Sequence, residues 1–569
     1  MPSLWTLAFQ LVIVNTFLYS LLGLTVGTSF HCAVRREISP CTCRHQEENT
    51  GVIQVTCERM TSFSQVVGAL RDKFEPEVKI ALTISYSNLE DLPESGFQEL
   101  GMNVNKLILN FDQLSVLTTS EFVGLDKIQY LSLADNAIDT VPQHILRQMP
   151  IIKTLELARC QIQNLSSTDF QNLRTLRTLL LNNNDLSFMD NNSLPDSLSK
   201  LHIGYNSLTT LNGTIRSLTG LEWLLIKNNK LTSLDGELPE VVPNTKLMFF
   251  DFSNNYLERL PMELNQFQGI DTLYANNNQI TSLNGALSRL RKVKYLSLNS
   301  NNLSDLAEDD FAEADRLEEL EIGFNKLKSL NLSLLPLKEL QILNLTNNLL
   351  EEFSLQEILG LHKLNTVDLS HNKITKLIGK MENTVDLEIR VSELLLDHNE
   401  LESLSGALSG LTKLQKLNIS HNRLTQISKD DFIDADDLRI LDISYNKLTT
   451  LEELSKTDLP NLEELKATHN ALTVLEKDFH GLPVLCWADL SNNQIKIISQ
   501  ELIEKTQCQL HGVKRALNIY LDDNPLWCDN DMLNTIQKME SHNSTKIHGK
   551  TECTIEVNNT LIVPITSIA

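Results

Sequence analysis

The chain has 569 residues, of which 73 are acidic and 49 basic, and its formal net charge is −24 at pH 7. This excess of negative charge argues against nucleic acid, heparin or an anionic membrane as the main partner. The sequence contains no Gly-rich phosphate loop, no HExxH helix and no GxSxG elbow. We therefore expect a protein that is not an enzyme and that uses no cofactor and no metal.

Residues 4–26 are apolar and are followed by small residues, which is typical of a secretory signal peptide. We predict cleavage near Gly27 or Ser29 and assign residues 1–27 to the signal. The apolar run is also long enough to span a bilayer, so an uncleaved membrane anchor is the alternative. No second apolar run of 18 or more residues follows, and we expect no membrane span after cleavage.

Four cysteines lie just upstream of a repeated segment that begins at residue 78: Cys32, Cys41, Cys43 and Cys57. The end of a repeat stack exposes core leucines and needs a cap. A small cap has little core of its own and uses disulfides, which form in an oxidising compartment. We therefore assign residues 28–77 to an N-terminal cap, for which the sequence alone allows three pairings of the cysteines.

From residue 78 to residue 527 the pattern LxxLxLxxNxL recurs at spacings mostly of 22 to 27 residues. This period and pattern indicate a leucine-rich-repeat solenoid. The xLxLx segment alternates with period two, which predicts a short strand with inward-facing leucines. We expect an α/β horseshoe of about 19 repeats, with short parallel strands on a concave face and irregular or helical segments on the convex side.

One position of each repeat, usually Asn, follows the strand at a turn. A buried amide there must find partners in the backbone of the neighbouring turn, so we expect a ladder of hydrogen bonds. Its members are Ser87, Asp112, Asn136, Cys160, Asn184, Asn206, Asn229, Asn255, Asn278, Asn301, Asn325, Asn348, Asn372, Asn399, Asn422, Asn446, Asn470, Asn493 and Asn524. Cys160 in this position is expected to be unpaired.

The convex side carries a recurrent phenylalanine and two longer segments. We expect the phenylalanines to fill the core: Phe97, Phe122, Phe170, Phe311, Phe432 and Phe479. Residues 376–390 are predicted to bulge, either as a contact loop or as a tolerated insertion. Residues 498–515 lengthen a later repeat, in which we expect Cys486 and Cys508 to pair. A free or intermolecular thiol is the alternative for these two cysteines.

Nine Asn-x-Ser/Thr sequences favour glycosylation of a secreted chain. The acceptors are Asn164, Asn191, Asn212, Asn302, Asn331, Asn344, Asn418, Asn543 and Asn558. Asn344 and Asn418 lie between inward-facing strand residues, so they should point to the concave face. Glycans there would shield part of that face from partners.

A row of rings precedes the ladder asparagine in neighbouring repeats: His371, His398, His421, Tyr445 and His469. Stacked imidazoles about 5 Å apart suit a metal ion or a pH sensor. Half-exposed surface residues of this type are equally typical of the position. We favour the surface interpretation and predict no metal site.

The C-terminal end of the repeats reads Asn524-Pro525-Leu526-Trp527-Cys528, and Cys553 follows. This motif and Cys41-Thr42-Cys43 resemble the flanking caps of extracellular leucine-rich-repeat proteins. That superfamily includes Slit-type guidance proteins, Toll-type ectodomains, small matrix proteoglycans and secreted insect immune proteins. The resemblance assigns residues 528–569 to a C-terminal cap.

The resemblance also implies disulfide pairs. In the N-terminal cap it implies Cys32–Cys43 and Cys41–Cys57. The C-terminal cap of the family usually has four cysteines. Here Asn530 stands at the second position and no fourth cysteine follows, which leaves Cys528–Cys553.

We interpret the chain as a secreted, non-catalytic protein that recognises an extracellular protein through its concave face. Cell-surface recognition, adhesion and innate immunity are the processes that this fold suggests by analogy. The expected contacts are Tyr274, Glu321, Asp368, Asp442 and Tyr520, and a homodimer is compatible with them. The alternatives are a structural matrix protein, a receptor held by an uncleaved anchor, and an inhibitor or cofactor protein of an enzyme.

Overall fold

The computed structural model describes residues 37–45, 51–243, 245–379, 388–510, 512–527, 530–541, 545–556 and 559–564. The predicted signal peptide, Cys32, Cys528, Asn543 and Asn558 lie outside them. Within these ranges no helix has the length and apolar character needed to cross a membrane. Two compact units, residues 1–207 and 208–569, are described separately.

The first unit is a stack of parallel strands whose central side chains are buried. Leu131, Leu155, Leu179 and Leu201 lie opposite one another in successive strands and are inaccessible to solvent. This follows from the period-two alternation of the repeat. The parallel strands are Val52–Glu58, Lys79–Ser85, Asn103–Asn110, Tyr130–Ser132, Thr154–Glu156, Thr178–Leu180 and Lys200–His202.

The sheet of the first unit begins inside the predicted N-terminal cap. The strand Thr42–His45 pairs antiparallel with Val52–Glu58. A disulfide joins Cys41 to Cys57 across these strands, the pairing that the family resemblance implies. Cys43 is also disulfide-bonded, but Cys32, its expected partner, lies outside the described residues.

Short helices and turns form the other side of the first unit. The helix Phe63–Leu70 begins after Ser62, whose hydroxyl accepts a hydrogen bond from the Gln65 amide. The remaining helices are Leu92–Ser95 and Gln143–Leu146, and the 3-10 helices are Phe97–Leu100 and Ser120–Phe122. The small strands Asn164–Leu165 and Phe188–Met189 pair with each other.

The second unit repeats the same parallel arrangement, and each strand pairs in register with the next. The strands are Trp223–Leu225, Phe249–Asp251, Thr272–Tyr274, Tyr295–Ser297, Glu319–Glu321, Ile342–Asn344, Thr366–Asp368, Glu393–Leu395, Lys416–Asn418, Ile440–Asp442, Glu464–Lys466, Trp487–Asp489, Asn518–Tyr520 and Lys546–His548. The last strand shows that the sheet continues into the predicted C-terminal cap.

The other side of the second unit is built mainly from 3-10 helices and two-strand pairings. The 3-10 helices are Met262–Gln266, Leu355–Ile358, Lys429–Phe432, Glu452–Lys456 and Gln500–Ile503. Two small parallel pairs are Glu352–Ser354 with Lys376–Ile378, and Val474–Leu475 with Ile497–Ile498. The helix Asn530–Ser541 and the hairpin of Lys550–Glu556 with Asn559–Pro564 end the described chain.

The first of the two longer segments differs in part from the prediction. Residues 376–378, at the start of the predicted bulge, form a regular strand against Glu352–Ser354. The prediction of a bulge is therefore wrong for these three residues. Residues 380–387 lie outside the described ranges. In the second segment, Gln509–Leu510 and Val513–Lys514 form a hairpin, and a disulfide joins Cys486 to Cys508.

The predicted ladder is present, and Asn255 shows its geometry. Its Oδ1 accepts a hydrogen bond from the Leu231 amide at 3.0 Å, and its Nδ2 donates to the carbonyls of Ile226 and Phe252 at 3.2 and 3.0 Å. The same two kinds of bond occur at Asn136, Asn184, Asn206, Asn229, Asn278, Asn301, Asn325, Asn348, Asn372, Asn399, Asn422, Asn446, Asn470, Asn493 and Asn524. The side-chain amide of each asparagine thus joins neighbouring turns.

The six convex phenylalanines are buried, as predicted. Phe122, Phe311 and Phe479 are inaccessible to solvent, and the other three are at most 3% exposed. In the first unit Phe63 meets Phe97 edge-on with ring centroids 5.0 Å apart. These rings fill the core beneath the irregular segments and are not available to a partner.

Candidate partner-binding surface

The open side of the sheet in the second unit presents two rows of side chains. In each three-residue strand the middle side chain is buried, and the first and third point to the same, solvent-facing side. We call this surface, formed by the first and third residues of the strands from Trp223–Leu225 to Lys546–His548, the strand face. It corresponds to the predicted concave face.

Four aromatic side chains on four successive strands form a continuous cluster on the strand face. Trp223 stacks on Phe249 with centroids 5.1 Å apart, Phe249 contacts Tyr274 at 5.7 Å, and Tyr274 contacts Tyr295 at 5.0 Å. Trp223 is 39% exposed and the other three rings are half-buried. We call these four residues the aromatic patch.

Carboxylates lie at one side of the aromatic patch. Glu319 is opposite Tyr295 in the adjoining strand, and Glu321 is two residues further along. Burial, followed by the charge of Glu321, raises the pKa of Glu319. Burial, followed by Tyr274 and the two glutamates, raises the pKa of Tyr295 to about 12. The Tyr295 phenol is therefore neutral at physiological pH and keeps its proton to donate.

The phenol of Tyr274, like that of Tyr295, has a raised pKa. Burial, followed by the charge of Asp251, raises the pKa of the Tyr274 phenol. Asp251 itself is only 4% exposed and forms an ion pair with Lys227 at 3.3 Å. Of the two, Tyr274 is therefore the side chain that a partner can reach.

The five residues expected to contact a partner all occupy the third position of their strands. Tyr274 belongs to the aromatic patch. Glu321 accepts hydrogen bonds from the side-chain amides of two neighbours, at 2.9 and 2.8 Å. Tyr520 lies 4.4 Å from the ring of Trp487 and 4.6 Å from that of His548. The structure does not bring all five together, because they are spread from the strand Thr272–Tyr274 to Asn518–Tyr520.

Asp368 and Asp442 have a local structural role. One Asp368 carboxylate oxygen accepts from the amide and the hydroxyl of Ser370, at 2.9 and 2.6 Å. Asp442 accepts from the Ser444 amide at 3.0 Å. The Asp-x-Ser sequence recurs with the same bonds at residues 251–253 and 489–491. These aspartates fix the turn after their own strand, which leaves at most part of each carboxylate for a partner.

Two of the predicted glycosylation acceptors lie on the strand face. Asn344 donates to Glu321 at 2.8 Å, and Asn418 donates to Asp397 at 3.0 Å. Both are half-buried. Four other acceptors, Asn164, Asn191, Asn212 and Asn331, are exposed away from these strands.

The row of histidines forms a continuous stack at the turns beside the strand face. Ring centroids are 4.1 Å apart for His371 and His398, and 4.0 Å apart for each later pair through His421, Tyr445 and His469. All five backbones are left-handed, with φ between 50° and 54°. Burial, followed by His398, lowers the pKa of His421, so that ring is neutral at physiological pH.

Comparison with known families agrees with this architecture. Residues 102–162, 129–186, 268–327, 315–374, 389–448 and 436–495 match the model described as leucine rich repeat. These segments together make up more than half of the chain. The chain belongs to the leucine-rich repeat family.

Several leucine-rich-repeat relatives align with parts of the chain. Human podocan-like protein 1 is 28% identical over 208 residues, which are 32% of this chain and 40% of that protein. Rat osteomodulin is 28% identical over 264 residues, 45% of this chain and 54% of that protein. Mouse podocan is 29% identical over 307 residues, 48% of this chain and 46% of that protein. The chain spans about half, or less, of the length of these curated relatives.

A solved structure shares the fold over nearly the whole length. A chain of the glycosylated Drosophila Toll–Spätzle complex aligns with a TM-score of 0.61 at 18% identity. The alignment covers 94% of this chain and 76% of that chain. At this identity the match establishes the leucine-rich-repeat fold alone.

Sequence reasoning selected only one member of the aromatic patch. The prediction rested on the third residue of each strand and therefore omitted Trp223, Phe249 and Tyr295. All three occupy the first position, which faces the same side two residues earlier. A prediction based on both the first and the third residue of every strand would have included them.

Proposed function

We propose that this leucine-rich-repeat protein is secreted and binds an extracellular protein through the strand face, with the aromatic patch as the main contact. The observation that carries the proposal is the continuous cluster of four rings, Trp223, Phe249, Tyr274 and Tyr295, on four successive strands of the strand face. Aromatic side chains dominate the binding energy of protein interfaces because they bury a large area at small entropic cost. Partly exposed rings in mutual contact are well suited to that role.

The surroundings of the patch indicate the chemistry of the partner. Glu319 and Glu321 adjoin Tyr295, so a basic group of the partner would gain charge complementarity at that side. The phenols of Tyr274 and Tyr295 are neutral donors. We therefore expect a partner segment with an apolar side chain over the rings and a lysine or arginine beside the glutamates.

Two further observations support secretion and protein binding. The disulfides Cys41–Cys57 and Cys486–Cys508 are of the kind that persists in an oxidising compartment. The Toll–Spätzle structure, which shares the fold, is a complex with a second protein. These features favour an extracellular recognition protein, with adhesion or innate immunity as the processes to test first.

The proposal is tested by a binding screen. The chain from about residue 28 to residue 569 is displayed multivalently to a library of extracellular proteins and to cell surfaces. We expect a saturable partner whose binding is lost when Glu319 and Glu321 are changed to lysine. A matched control changes Glu452 and Glu476, which lie away from the strand face, to lysine and leaves binding intact. Deposition of the protein in insoluble matrix without a saturable partner would contradict the proposal and favour a structural role.

A further inference from the structure

The sequence favoured a surface role without metal for the row of rings, but from the structure we propose that His371, Asp397 and His398 form a binding site for a divalent transition-metal ion of the zinc class. One ligand atom from each side chain lies within 4.8 Å of the other two. The two imidazoles are exposed and the carboxylate is half-buried. The ion would join two neighbouring turns at the edge of the strand face and keep an outward position open for water or a partner group.

One distance between the ligand atoms is already shorter than zinc requires, and the other two are no longer than 4.8 Å. A tetrahedral zinc ion with bonds of about 2.1 Å separates its ligand atoms by about 3.4 Å. Asp397 Oδ2 already lies 2.9 Å from His398 Nδ1. The His371 ring lies parallel to that of His398, with centroids 4.1 Å apart and planes 15° apart. Because His371 is exposed and is the first ring of the stack, we expect its ring to rotate on binding so that one nitrogen faces the ion.

The backbone and a neighbouring amide hold the site in place. The His371 amide donates to the Asp397 carbonyl at 2.9 Å, which ties the two turns together. Asn418 Nδ2 donates to Asp397 Oδ1 at 3.0 Å and orients the carboxylate from outside the site. The regular repeat therefore fixes the backbone of the site and the Asp397 carboxylate, and only the His371 ring has to move.

The choice of ions follows from the donor atoms. Two imidazoles and one carboxylate suit zinc and its late transition-metal neighbours, whereas calcium and magnesium prefer all-oxygen sites. Of the other imidazoles in the stack, His421 also lies beside His398, whereas Tyr445 separates His469 from the other three. His469 therefore has no second imidazole next to it in this stack and offers a poorer site. This difference provides a control within the same stack.

The experiment is calorimetric titration of the EDTA-treated full chain with zinc chloride, and separately with calcium chloride. We expect zinc to bind saturably with one ion at this site, and calcium not to bind there. His398→Gln and Asp397→Asn should weaken zinc binding by about 100-fold or abolish it. Asn418→Ala should weaken it by about tenfold, because it removes only the group that orients the carboxylate. His469→Gln should leave the affinity unchanged.

Each result decides for or against the site. Absence of saturable zinc binding overturns the proposal. So does an equal loss of affinity in the His371→Gln and His469→Gln variants, because it would show binding spread along the stack. Circular dichroism of each variant shows that the fold is retained. The site does not depend on the proposed partner, since the titration uses zinc alone.

Discussion

At the scale of single residues, the side chain at the ladder position determines whether the buried backbone groups of neighbouring turns are hydrogen-bonded. Where it holds Asn, one side chain supplies both an acceptor and a donor to buried backbone groups. When ionised, Asp112 supplies only acceptors: its Oδ1 accepts from the Ser87 amide at 2.9 Å, and its Oδ2 has no hydrogen-bond partner among the described residues. The side chain is 2% exposed, and burial raises the pKa of Asp112 to about 7. An ionised carboxylate here is therefore unfavourable.

This predicts an unusual pH dependence for the first unit. Because the folded-state pKa of Asp112 is above its unfolded value of 3.8, the folded chain binds more protons between these two values. Its contribution to stability is therefore largest below about pH 4 and is lost as the pH rises to about 7. Asp112→Asn should remove this loss and raise the free energy of unfolding at pH 7.5 by about 1 to 3 kcal/mol.

Urea unfolding at pH 5 and pH 7.5 tests the Asp112 prediction. The matched control is Asp139→Asn, which removes an acidic group from an exposed position and should change stability by less than about 0.5 kcal/mol. If Asp112→Asn keeps the wild-type pH dependence, the buried carboxyl is not its cause.

Cys160 gives a second prediction at the residue scale. Its thiol is buried and free, and it lies 3.4 Å from the Leu133 carbonyl oxygen. Burial, as the first cause, raises the pKa of this thiol, so little reactive thiolate is present at pH 8. We expect iodoacetamide to label Cys160 at pH 8 only after denaturation, as read by peptide mass spectrometry. Rapid labelling of the folded chain would show that the thiol is accessible.

At the scale of elements, the regular strands could be predicted and their exceptions could not. Alternation around buried leucines was sufficient to place strands such as Thr366–Asp368, because a one-residue shift would expose the core. The strand Lys376–Ile378 was predicted as part of a bulge, since its pairing with Glu352–Ser354 depends on the neighbouring repeat. The aromatic patch depends on contacts between four repeats, which a reading of one repeat at a time does not show.

The Cys486–Cys508 disulfide fixes the longest convex segment to its repeat. It closes a loop with a sequence separation of 22 residues. Changing both cysteines to serine should lower the free energy of unfolding by about 3 kcal/mol, because the unfolded chain regains the freedom of that loop. Differential scanning calorimetry and limited proteolysis measure the effect. In the double-serine variant, proteolytic cleavage should begin within residues 498–515. The control variant Cys160→Ala, which leaves the disulfide intact, should not show this cleavage. Unchanged melting and protease resistance would contradict this role.

At the scale of the whole molecule, repetition of short strands builds the strand face, which we propose as the recognition surface. Each strand of the second unit adds its first and third side chains to this face, so the contacts of the proposed partner would be spread over several repeats. The chain carries a net charge of −24, which would favour a basic partner. We expect the aromatic patch to contribute most on binding, because it is the longest run of contacting rings described on this surface.

The most direct test of this account is the dissociation constant of the partner recovered in the screen for two matched double variants. Trp223→Ala with Tyr295→Ala removes two rings of the aromatic patch. Tyr86→Ala with Phe111→Ala removes another exposed, stacked pair, with centroids 4.6 Å apart, elsewhere on the chain. We predict at least about 30-fold weaker binding for the first variant, as for loss of an interface hot spot, and unchanged binding for the second. Equal affinities of the two variants, or a larger loss in the second, would contradict the proposed binding surface.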